Sequence, residues 1–530
     1  MIVDRIPRIK FLFVLFLLAV LFSDCKKKEG TSWDTELTGP LLTSTMGIDN
    51  IVADSLLEEN ADSSLSIVYE NPIYTVALDS LLDIPDTVIR TAYQLPISLT
   101  LVPGQTIVNA SENFNFSTGT AKLNKVIIRH GFVKFYVKSS VKEKILITYD
   151  LPKATLNGVP LHIEELVPAG TFSSTGEIFR MIDISGYTFD LTGSTGTSSN
   201  TLATNYKIRI DPNGSSVMVQ SSDSVVMRHG FVDIVPEYIR GYLGNESSMV
   251  GPESTAFGIF NHIISGTLQL ENISLDLIVE NSFGVDSRVI VSKINSVNTH
   301  TGQVVPLSSN LIGNSLNIGR AYDNNGNVTP TVYHFPVENT AAKSFLENLP
   351  DRIEYAASMM INPMGNLSGG NDFAWYGKGL RVLMNLNIPL SLIANNLTLS
   401  DTVPLNVNQD TTGTYVKSGN LYLIADNGFP FEAQVQLYLL NDQLQVTDSL
   451  FAQNLAAAAP VDGNLKVISP RRSILTVPAS AELLNKVFKT KKVRIVTRFL
   501  TVPPNQYLKI YSYYKFSLKM AADFVLHVVV

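Results

Sequence analysis

Histidine is the side chain best suited to acid–base or metal chemistry in this sequence, and its seven copies are scattered along the chain. They are His130, His162, His229, His262, His300, His334 and His527. None belongs to a His-Glu-x-x-His motif, and Cys25 is the only cysteine, so no group of residues has the spacing of a zinc site. We therefore predict no metal site.

Nucleophilic catalysis finds equally little support in the sequence. The Gly-x-Ser-x-Gly motif is absent, and no glycine loop of the phosphate-binding type occurs. Ser139-Ser140-Val141-Lys142 has the Ser-x-x-Lys spacing, but the partner motifs of that enzyme class are missing, so the segment predicts a hairpin turn. We predict a protein with no catalytic residues, no cofactor and no enzymatic activity.

Aromatic and acidic residues that follow a glycine-rich loop form a candidate ligand contact. They are Asp372, Trp375 and Tyr376, and Trp375 is one of only two tryptophans. Exposed aromatic rings beside a carboxylate can stack on a sugar or grip a protein partner. The alternative interpretation is that the rings pack in the core, where large aromatic side chains are mostly buried.

A second acidic stretch, Asp323-Asn324-Asn325-Gly326-Asn327, offers oxygen donors like those of a calcium loop. It lacks the distal bidentate glutamate that completes an EF-hand. We therefore predict a solvated turn rather than a cation site.

The overall charge argues against nucleic-acid binding as the main function. The net charge is −7 and the isoelectric point is near 5.6, so the chain does not attract phosphate backbones. Only 16% of the residues are charged, and the mean hydropathy is +0.15. Because no run beyond the first 25 residues approaches 18 apolar residues, we assign this apolar content to strands.

The first residues predict export from the cytoplasm. Arg5, Arg8 and Lys10 precede the apolar run Phe11–Phe22, and a short cleavage region ends at Cys25. A basic start, a short apolar core and a cleavage region are typical of a secretory signal. The core holds about 12 residues, fewer than the roughly 20 that a membrane-spanning helix needs.

Leu21-Phe22-Ser23-Asp24-Cys25 resembles the cleavage motif of bacterial lipoproteins. The resemblance implies that Cys25 carries the lipid and becomes the mature N-terminus. It also implies a lipid-anchored protein at the outer membrane of a diderm bacterium, on either face. Firm anchoring needs several acyl chains or one chain plus a basic patch, and three lysines follow the cysteine. The residues alone also allow an uncleaved anchor helix, or a plain secretory signal with an incidental cysteine.

Composition and pattern divide the chain into six consecutive segments. Their ranges are 1–24 for the signal peptide, 25–45 for a lipidated tether, 46–240 for an N-terminal β region, 241–335 for a β unit, 336–405 for a short helix plus a β unit, and 406–530 for a C-terminal β unit with one helix. The tether is polar and contains Gly30, Gly39 and Pro40, a composition typical of a linker.

An Arg-His-Gly-Phe-Val sequence occurs twice within the N-terminal β region. The copies lie in Val126–Val133 and Val225–Val232, which begin 99 residues apart. We interpret them as a duplicated sheet unit in which His130 and His229 occupy equivalent structural positions.

A strand that ends in an asparagine-containing turn recurs in the second half of the chain. Gly419–Phe431 carries Asn427 in its turn, Gly379–Pro389 repeats the layout with Asn387, and Val279–Val285 matches the turn alone. Asparagine tolerates a left-handed backbone and glycine or proline bends the chain, so an aromatic side chain can enter the core as the strand reverses. The pattern weakly resembles the β-sandwich modules of late-embryogenesis-type proteins.

Helices are predicted at three places only. Ile48–Leu57 has apolar residues at helical spacing, Asn339 caps a helix that runs to Leu349, and Ser480 caps a third. Tyr507–Met520 alternates between apolar and polar residues and predicts one long amphipathic strand.

These observations predict a mainly β protein of tandem antiparallel sandwich-like units with two or three short helices. The function they favour is a non-enzymatic cell-envelope lipoprotein that acts as a binding or structural scaffold for an envelope protein. One alternative is a carrier of an apolar ligand such as lipid, held in a trough lined by strands. A second alternative is a polysaccharide-binding surface lipoprotein that uses Trp375.

Overall fold

The computed structural model describes residues 32–50, 52–77, 84–405 and 414–529. The structure is mainly β, with 62% strand and 5% helix, and its antiparallel sheets pack as sandwiches, which confirms the predicted fold class. The predicted signal peptide and Cys25 lie outside the described residues. No helix within the described ranges has the length and apolar character of a membrane span.

Strands of the described ranges are numbered here in chain order. The first are β1 (Ser32–Met46), β2 (Leu57–Glu59), β3 (Leu65–Ala77), β4 (Thr87–Gln94), β5 (Leu99–Leu101), β6 (Thr106–Asn115), β7 (Lys122–Ser139), β8 (Ile145–Leu156), β9 (Val159–Val167), β10 (Gly176–Asp183), β11 (Thr188–Asp190) and β12 (Thr201–Ile210). They are followed by β13 (Val217–Val219), β14 (Ser224–Tyr242), β15 (Ser247–Ala256), β16 (Ser265–Leu270), β17 (Ser274–Asn281), β18 (Ser287–Asn298), β19 (Gln303–Pro306), β20 (Ser315–Ile318), β21 (Tyr322–Asn324), β22 (Asn327–Thr329) and β23 (Thr331–Val337). The last are β24 (Arg352–Ile361), β25 (Asp372–Trp375), β26 (Gly379–Pro389), β27 (Ser391–Pro404), β28 (Tyr415–Asn427), β29 (Phe431–Leu440), β30 (Val446–Phe451), β31 (Arg471–Val477), β32 (Lys492–Thr501), β33 (Leu508–Lys509) and β34 (Phe516–Val529).

The chain divides into two compact units, each built from separate stretches of sequence. The first unit comprises Met1–Leu65, Asn261–Glu271 and Leu390–Val530, and the second comprises Ser66–Phe260 and Asn272–Pro389. The backbone therefore passes from one unit to the other four times. The six consecutive segments predicted from the sequence do not match this arrangement.

The inner sandwich, in the second unit, has two four-stranded antiparallel layers. One layer has the order β4-β14-β7-β10 and the other the order β6-β12-β8-β9. The short strand β11 pairs with both β7 and β8 and so connects the two layers. The fully buried rings of this sandwich include Phe114, Phe135, Tyr149, Tyr206 and Phe231.

The middle sandwich belongs to the second unit as well. Its layers have the orders β3-β26-β17-β23 and β15-β24-β18-β19. In β17, Leu275, Leu277 and Val279 are buried while the residues between them are partly exposed, because successive side chains of a strand point to opposite faces.

The outer sandwich belongs to the first unit. Its layers have the orders β1-β34-β28-β31 and β27-β32-β29-β30. In β29 the alternation buries Phe431, Ala433, Val435 and Leu437 on the face that meets the opposite layer.

All three sandwiches have one and the same topology. If the eight strands of each are numbered along the chain, one layer always has the order 1-8-3-6 and the other 2-7-4-5. This is the order of the jelly roll, in which Greek-key connections wind between two sheets. The names inner, middle and outer describe how the three sandwiches are nested along the sequence and not their positions in space. Residues 87–242 of the inner sandwich lie between strands 1 and 2 of the middle one, and residues 65–389 lie between strands 1 and 2 of the outer one. The predicted segments at 46–240, 241–335, 336–405 and 406–530 cut across this nesting.

The predicted flexible tether is wrong for its described part. Ser32–Met46 is a strand that pairs with Phe516–Val529 along its whole length, apart from a register shift between Pro40 and Leu42. The glycine and the proline of this stretch lie in an edge strand, a position that tolerates a residue without an amide hydrogen.

The helix predictions are confirmed in part. Helix α1 (Asn339–Leu346) and helix α2 (Ala481–Lys489) each lie between strands 6 and 7 of a sandwich. Ser480 caps α2 by accepting a hydrogen bond from the amide of Leu483 at 3.2 Å, as predicted. The N-cap of α1 is Glu338 rather than Asn339, whose side chain instead accepts a hydrogen bond from the amide of Ile273.

Two other predictions of local structure are wrong. Ile48–Leu57 forms two short 3₁₀ turns, Ile48–Asn50 and Asp54–Leu56, instead of an α helix. The long strand predicted over Tyr507–Met520 is interrupted between β33 and β34 by a turn in which the amide of Tyr514 donates to the carbonyl of Tyr511.

Candidate functional site

Of the three predicted asparagine turns, those at Asn281 and Asn427 have closely matching hydrogen bonds. Asn281 accepts a hydrogen bond from the amide of Phe283 at 3.0 Å, and its side-chain amide donates to the carbonyls of Val285 at 3.2 Å and Gly319 at 2.8 Å. The turn carries the chain from strand 3 to strand 4 of the middle sandwich, that is, from one layer to the other. Asn387 of the third copy lies exposed within β26, so the turn predicted there is absent.

Asp286 and Ser287 follow this turn directly and begin one wall of a pocket. Its lining residues are Asp286, Ser287, Arg288, Asn317, Ile318, Gly319, Tyr333, Asn362, Pro363, Met364, Gly365 and Leu367. The pocket has a volume of about 410 Å³. This volume lies within the range of roughly 300–1,000 Å³ that is usual for small-molecule sites.

A buried carboxylate fixes the loop that forms the opposite wall. Asp372 is completely buried, and its Oδ2 accepts hydrogen bonds from the amide of Leu243 at 3.0 Å and from the side-chain amide of Asn362 at 2.7 Å. Asn362 has a left-handed backbone, with φ of 45°, and also donates to the carbonyl of Gly244 at 2.9 Å. The loop 362–371 is therefore held at both ends by Asp372 and Asn362.

Arg320 links this carboxylate to the pocket. Its Nη1 lies 3.5 Å from Oδ1 of Asp372, and its Nη2 donates to Oδ2 of Asp286 at 2.7 Å. The backbone amide of Arg320 donates to the second oxygen of Asp286 at 3.1 Å. Because Arg320 is only 25% exposed and meets both carboxylates, the orientation of Asp286 in the pocket wall is fixed.

The remaining polar side chains of the pocket wall belong to four residues, Arg288, Asn317, Tyr333 and Ser287. Arg288 and Asn317 lie opposite each other on β18 and β20, with Nε of the arginine 3.3 Å from the amide oxygen. The hydroxyl of Tyr333 accepts a hydrogen bond from the amide of Gly319. Ser287 is 1% exposed, and its hydroxyl has no hydrogen-bond partner among the described residues.

Two apolar side chains form the rim of the pocket. Met364 and Leu367 are each 71% exposed, on the loop that Asn362 and Asp372 anchor. The pocket therefore combines polar groups that hydrogen bonds hold in place with two exposed apolar side chains, of which methionine is the more adaptable.

The aromatic residues predicted as ligand contacts lie on a different surface from these pocket residues. Trp375 is half-buried, packs on Tyr238 with ring centroids 4.5 Å apart, and donates from Nε1 to Asp323 at 3.3 Å. Tyr376 is 42% exposed, and the guanidinium of Arg129 covers its ring at 4.1 Å. Of the predicted residues, only Asp372 bears on the pocket, as a buried anchor.

The acidic stretch considered as a calcium loop is a turn between β21 and β22. One oxygen of Asp323 accepts a hydrogen bond from the amide of Gly326 and the other accepts from Trp375. No group of three or more histidine, cysteine, aspartate or glutamate side chains in the described ranges could hold a metal ion.

The two histidines of the repeated sequence have different environments, contrary to the predicted equivalence. His229 is 2% exposed in the inner sandwich, and its Nδ1 lies 2.9 Å from the hydroxyl of Tyr149. Burial lowers the pKa of His229 to about 4. His130 is exposed on the paired strand β7. The repeat therefore places two strands side by side without giving them the same role.

Two cavities with apolar walls leave no room for a lipid chain. One lies in the outer sandwich against Phe429, Phe431 and Phe499, and the other lies in the inner sandwich against Phe116 and Phe189. Each has a volume of about 10 Å³, about the space for one water molecule. These interiors are packed cores.

Comparison with known proteins adds little to this picture. No protein-family profile matches the sequence, and no curated protein is similar to it. The chain is similar to the crystal structure of a "putative secreted protein" from Parabacteroides distasonis, with 10% identity, a TM-score of 0.27, and coverage of 92% of this chain and 99% of that one. It is also similar to the VP2 subviral particle of infectious bursal disease virus, with 10% identity, a TM-score of 0.11, and coverage of 87% and 84%. At these TM-scores neither likeness carries a conclusion about function.

The pocket residues Asp286, Ser287, Arg288, Asn317 and Tyr333 were not predicted from the sequence. They come from three separate stretches that meet only through sheet pairing. The available signal was the matched turn at Asn281, because a polar Asp-Ser-Arg sequence follows it directly.

Proposed function

We propose that this protein is a non-enzymatic, lipid-anchored binding protein of the cell envelope, and that the pocket of the middle sandwich holds a saccharide unit. The observation that carries the proposal is the pocket of about 410 Å³ whose polar wall is fixed by Arg320 and the buried carboxylate of Asp372. The signal-like N-terminus and Cys25 support the envelope location and the anchor.

The chemistry of the wall favours a polyhydroxylated ligand over an apolar one. A sugar ring offers hydroxyl groups that both donate and accept hydrogen bonds, and it has apolar C–H faces. The Asp286 carboxylate accepts, the Arg288 guanidinium donates, and Asn317 can do both. Met364 can cover the apolar face of the ring.

The ligand site is tested with a glycan array, followed by titration calorimetry of the purified full chain with each oligosaccharide that scores. We expect Arg288→Ala to weaken binding at least tenfold, because a charge-assisted hydrogen bond contributes about 1.5–3 kcal/mol. The matched control is Arg471→Ala, which removes an exposed arginine of the outer sandwich. Absence of glycan binding, or equal affinities of the two variants, would refute the site.

The anchor is tested separately by incorporation of labelled palmitate in a diderm host. The wild type should carry the label and sediment with membranes, whereas Cys25→Ser should do neither. A labelled Cys25→Ser protein would place the lipid elsewhere.

The scaffold role makes a contrasting prediction. A purely structural scaffold binds no glycan and retains a stoichiometric protein when it is purified from membranes. Recovery of such a partner together with a negative glycan array would replace saccharide binding by the scaffold function.

A further inference from the structure

Three strands of the outer sandwich, β1, β28 and β34, have one of their ends at the same end of the sheet. Ser32, the first residue of β1, pairs with Val529 of β34, and Tyr415, the first residue of β28, pairs with His527 of the same strand. We call this end, formed by residues 32–34, 415–417 and 527–529, the tip of the outer sandwich.

The tip exposes aromatic side chains on both faces of its sheet. Trp33 is 49% exposed and lies opposite Val528, whereas Tyr415 is 47% exposed and packs on His527 with ring centroids 5.1 Å apart. Because neighbouring residues of β34 point to opposite faces, Trp33 and Tyr415 lie on opposite sides of the sheet. The residues of β1 from Ser32 to Thr38 are all exposed.

The acidic side chain of the tip, Asp34, lies beside two basic side chains. Asp34 accepts a hydrogen bond from Lys417 at 2.7 Å and lies 2.7 Å from Nδ1 of His527. The hydrogen bond from Lys417 lowers the pKa of Asp34 below its usual value. Among the described residues of the tip, no carboxylate therefore lacks a basic neighbour where it would face an anionic surface.

The length of the chain ties the tip to the anchor. Ser32 is the seventh residue after Cys25. Fully extended, seven residues span about 25 Å, which is less than the thickness of a bilayer. Lys26, Lys27 and Lys28 lie within this stretch, where lysines are attracted to anionic headgroups.

We propose that the tip of the outer sandwich lies in the phospholipid headgroup layer of the membrane that carries the anchor, with Trp33 and Tyr415 at the interface. Tryptophan and tyrosine favour this layer because each combines an apolar ring with a polar group. The inference rests on the lipid anchor of the proposed function and adds an orientation of the outer sandwich to it.

The sequence supplies its own fluorescent probe for a test. Trp33 and Trp375 are the two tryptophans, so Trp375→Phe leaves Trp33 as the only reporter in the lipidated full chain. In vesicles that contain phospholipids brominated near the headgroup, we expect the emission of Trp33 to fall at least twofold and to shift to shorter wavelength. The same comparison between the wild type and Trp33→Phe, with Trp375 retained, gives the signal of Trp33 as a difference.

A matched reporter on the same sheet provides the control. In the background Trp33→Phe, Trp375→Phe, the substitution Tyr422→Trp places a tryptophan at a position that is 41% exposed. Tyr422 lies seven residues beyond Tyr415 on β28, about 20 Å from the tip. Its emission should be unchanged by the brominated lipid.

Flotation of the same vesicles separates the outcomes. If the protein floats and Trp33 is unquenched, or both reporters are quenched equally, the orientation is wrong and the anchor stands. If the lipid-modified chain is never obtained and the protein does not float, the anchor and the orientation fail together.

Discussion

The outer and the middle sandwich contain the same asparagine turn, which adjoins a packed core in the outer sandwich and a pocket in the middle one. Asn427 accepts a hydrogen bond from the amide of Phe429 at 3.0 Å, and its side-chain amide donates to the carbonyls of Phe431 at 2.7 Å and Ala457 at 3.0 Å. This pattern repeats that of Asn281 bond for bond. Both asparagines are completely buried, and both turns connect strands 3 and 4 of a jelly roll.

The residues around the two turns decide what space remains. In the outer sandwich the fourth residue after asparagine is Phe431, and together with Phe429 it fills the core down to a cavity of about 10 Å³. In the middle sandwich the same position is the smaller Val285, and the second carbonyl that the asparagine side chain reaches belongs to Gly319 instead of Ala457. The pocket lined by Gly319 has about 410 Å³. One turn therefore serves either a packed core or a binding pocket.

The largest effect that separates the two regions should come from Asp372→Ala. The substitution leaves the buried amide of Leu243 and the side-chain amide of Asn362 without this acceptor, so we expect a loss of about 4 kcal/mol in the free energy of unfolding. Chemical denaturation measures it. The control Asp426→Ala breaks an exposed ion pair with Arg472 in the outer sandwich and should cost less than about 1 kcal/mol. Equal losses would show that Asp372 does not anchor the pocket.

Acid should destabilise the inner sandwich more than the cores of the other two. His229 stays neutral in the fold down to its pKa of about 4, whereas in the unfolded chain it binds a proton below about pH 6.5. Stability is therefore lost as the pH falls from about 6.5 to 4, by up to about 3 kcal/mol. Denaturation curves of the wild type and His229→Phe between pH 7 and 4 measure this loss. An unchanged pH dependence in the variant would assign the acid sensitivity to other groups.

The two asparagine turns should contribute equally to the free energy of unfolding. Asn281→Ala and Asn427→Ala each leave a buried amide, a buried carbonyl and a partly buried carbonyl without this partner, so each should lose about 3 kcal/mol. Thermal unfolding of the two single variants tests the equivalence. A loss at only one position would show that the shared geometry carries unequal energies.

We expect the smallest loss of stability when Phe431 of the outer turn is replaced by valine, the residue at the corresponding position of the middle turn. Phe431→Val removes part of a buried ring and should cost about 2 kcal/mol, because the surrounding side chains refill the space only partly. The cost is read from chemical denaturation, with Phe451→Val, a substitution at a 44% exposed site, as the control. A cost near zero for Phe431→Val would mean that the core collapses around the change.

Local chemistry was predictable from the sequence and the assembly was not. The turns at Asn281 and Asn427 and the cap at Ser480 depend on neighbours within a few residues, and all three were predicted. Asn387 has the same spacing but lies inside a strand, because pairing with β3 and β17 keeps the backbone extended there. Asp372 was singled out as a ligand contact, and its burial depends on partners more than a hundred residues away, such as Leu243.

The nested chain order also determines when each sandwich can be completed during synthesis. The inner sandwich has all its strands once residue 242 has emerged, the middle one must wait for β26, and the outer one must wait for β34. Asp34 and His527, which meet in the outer sandwich, are 493 positions apart. Strand β1 therefore stays unpaired until β34 has been made, and unpaired strand edges promote aggregation. A chain of this design completes its sandwiches from the middle of the sequence outwards and depends on protection of the strand that is made first.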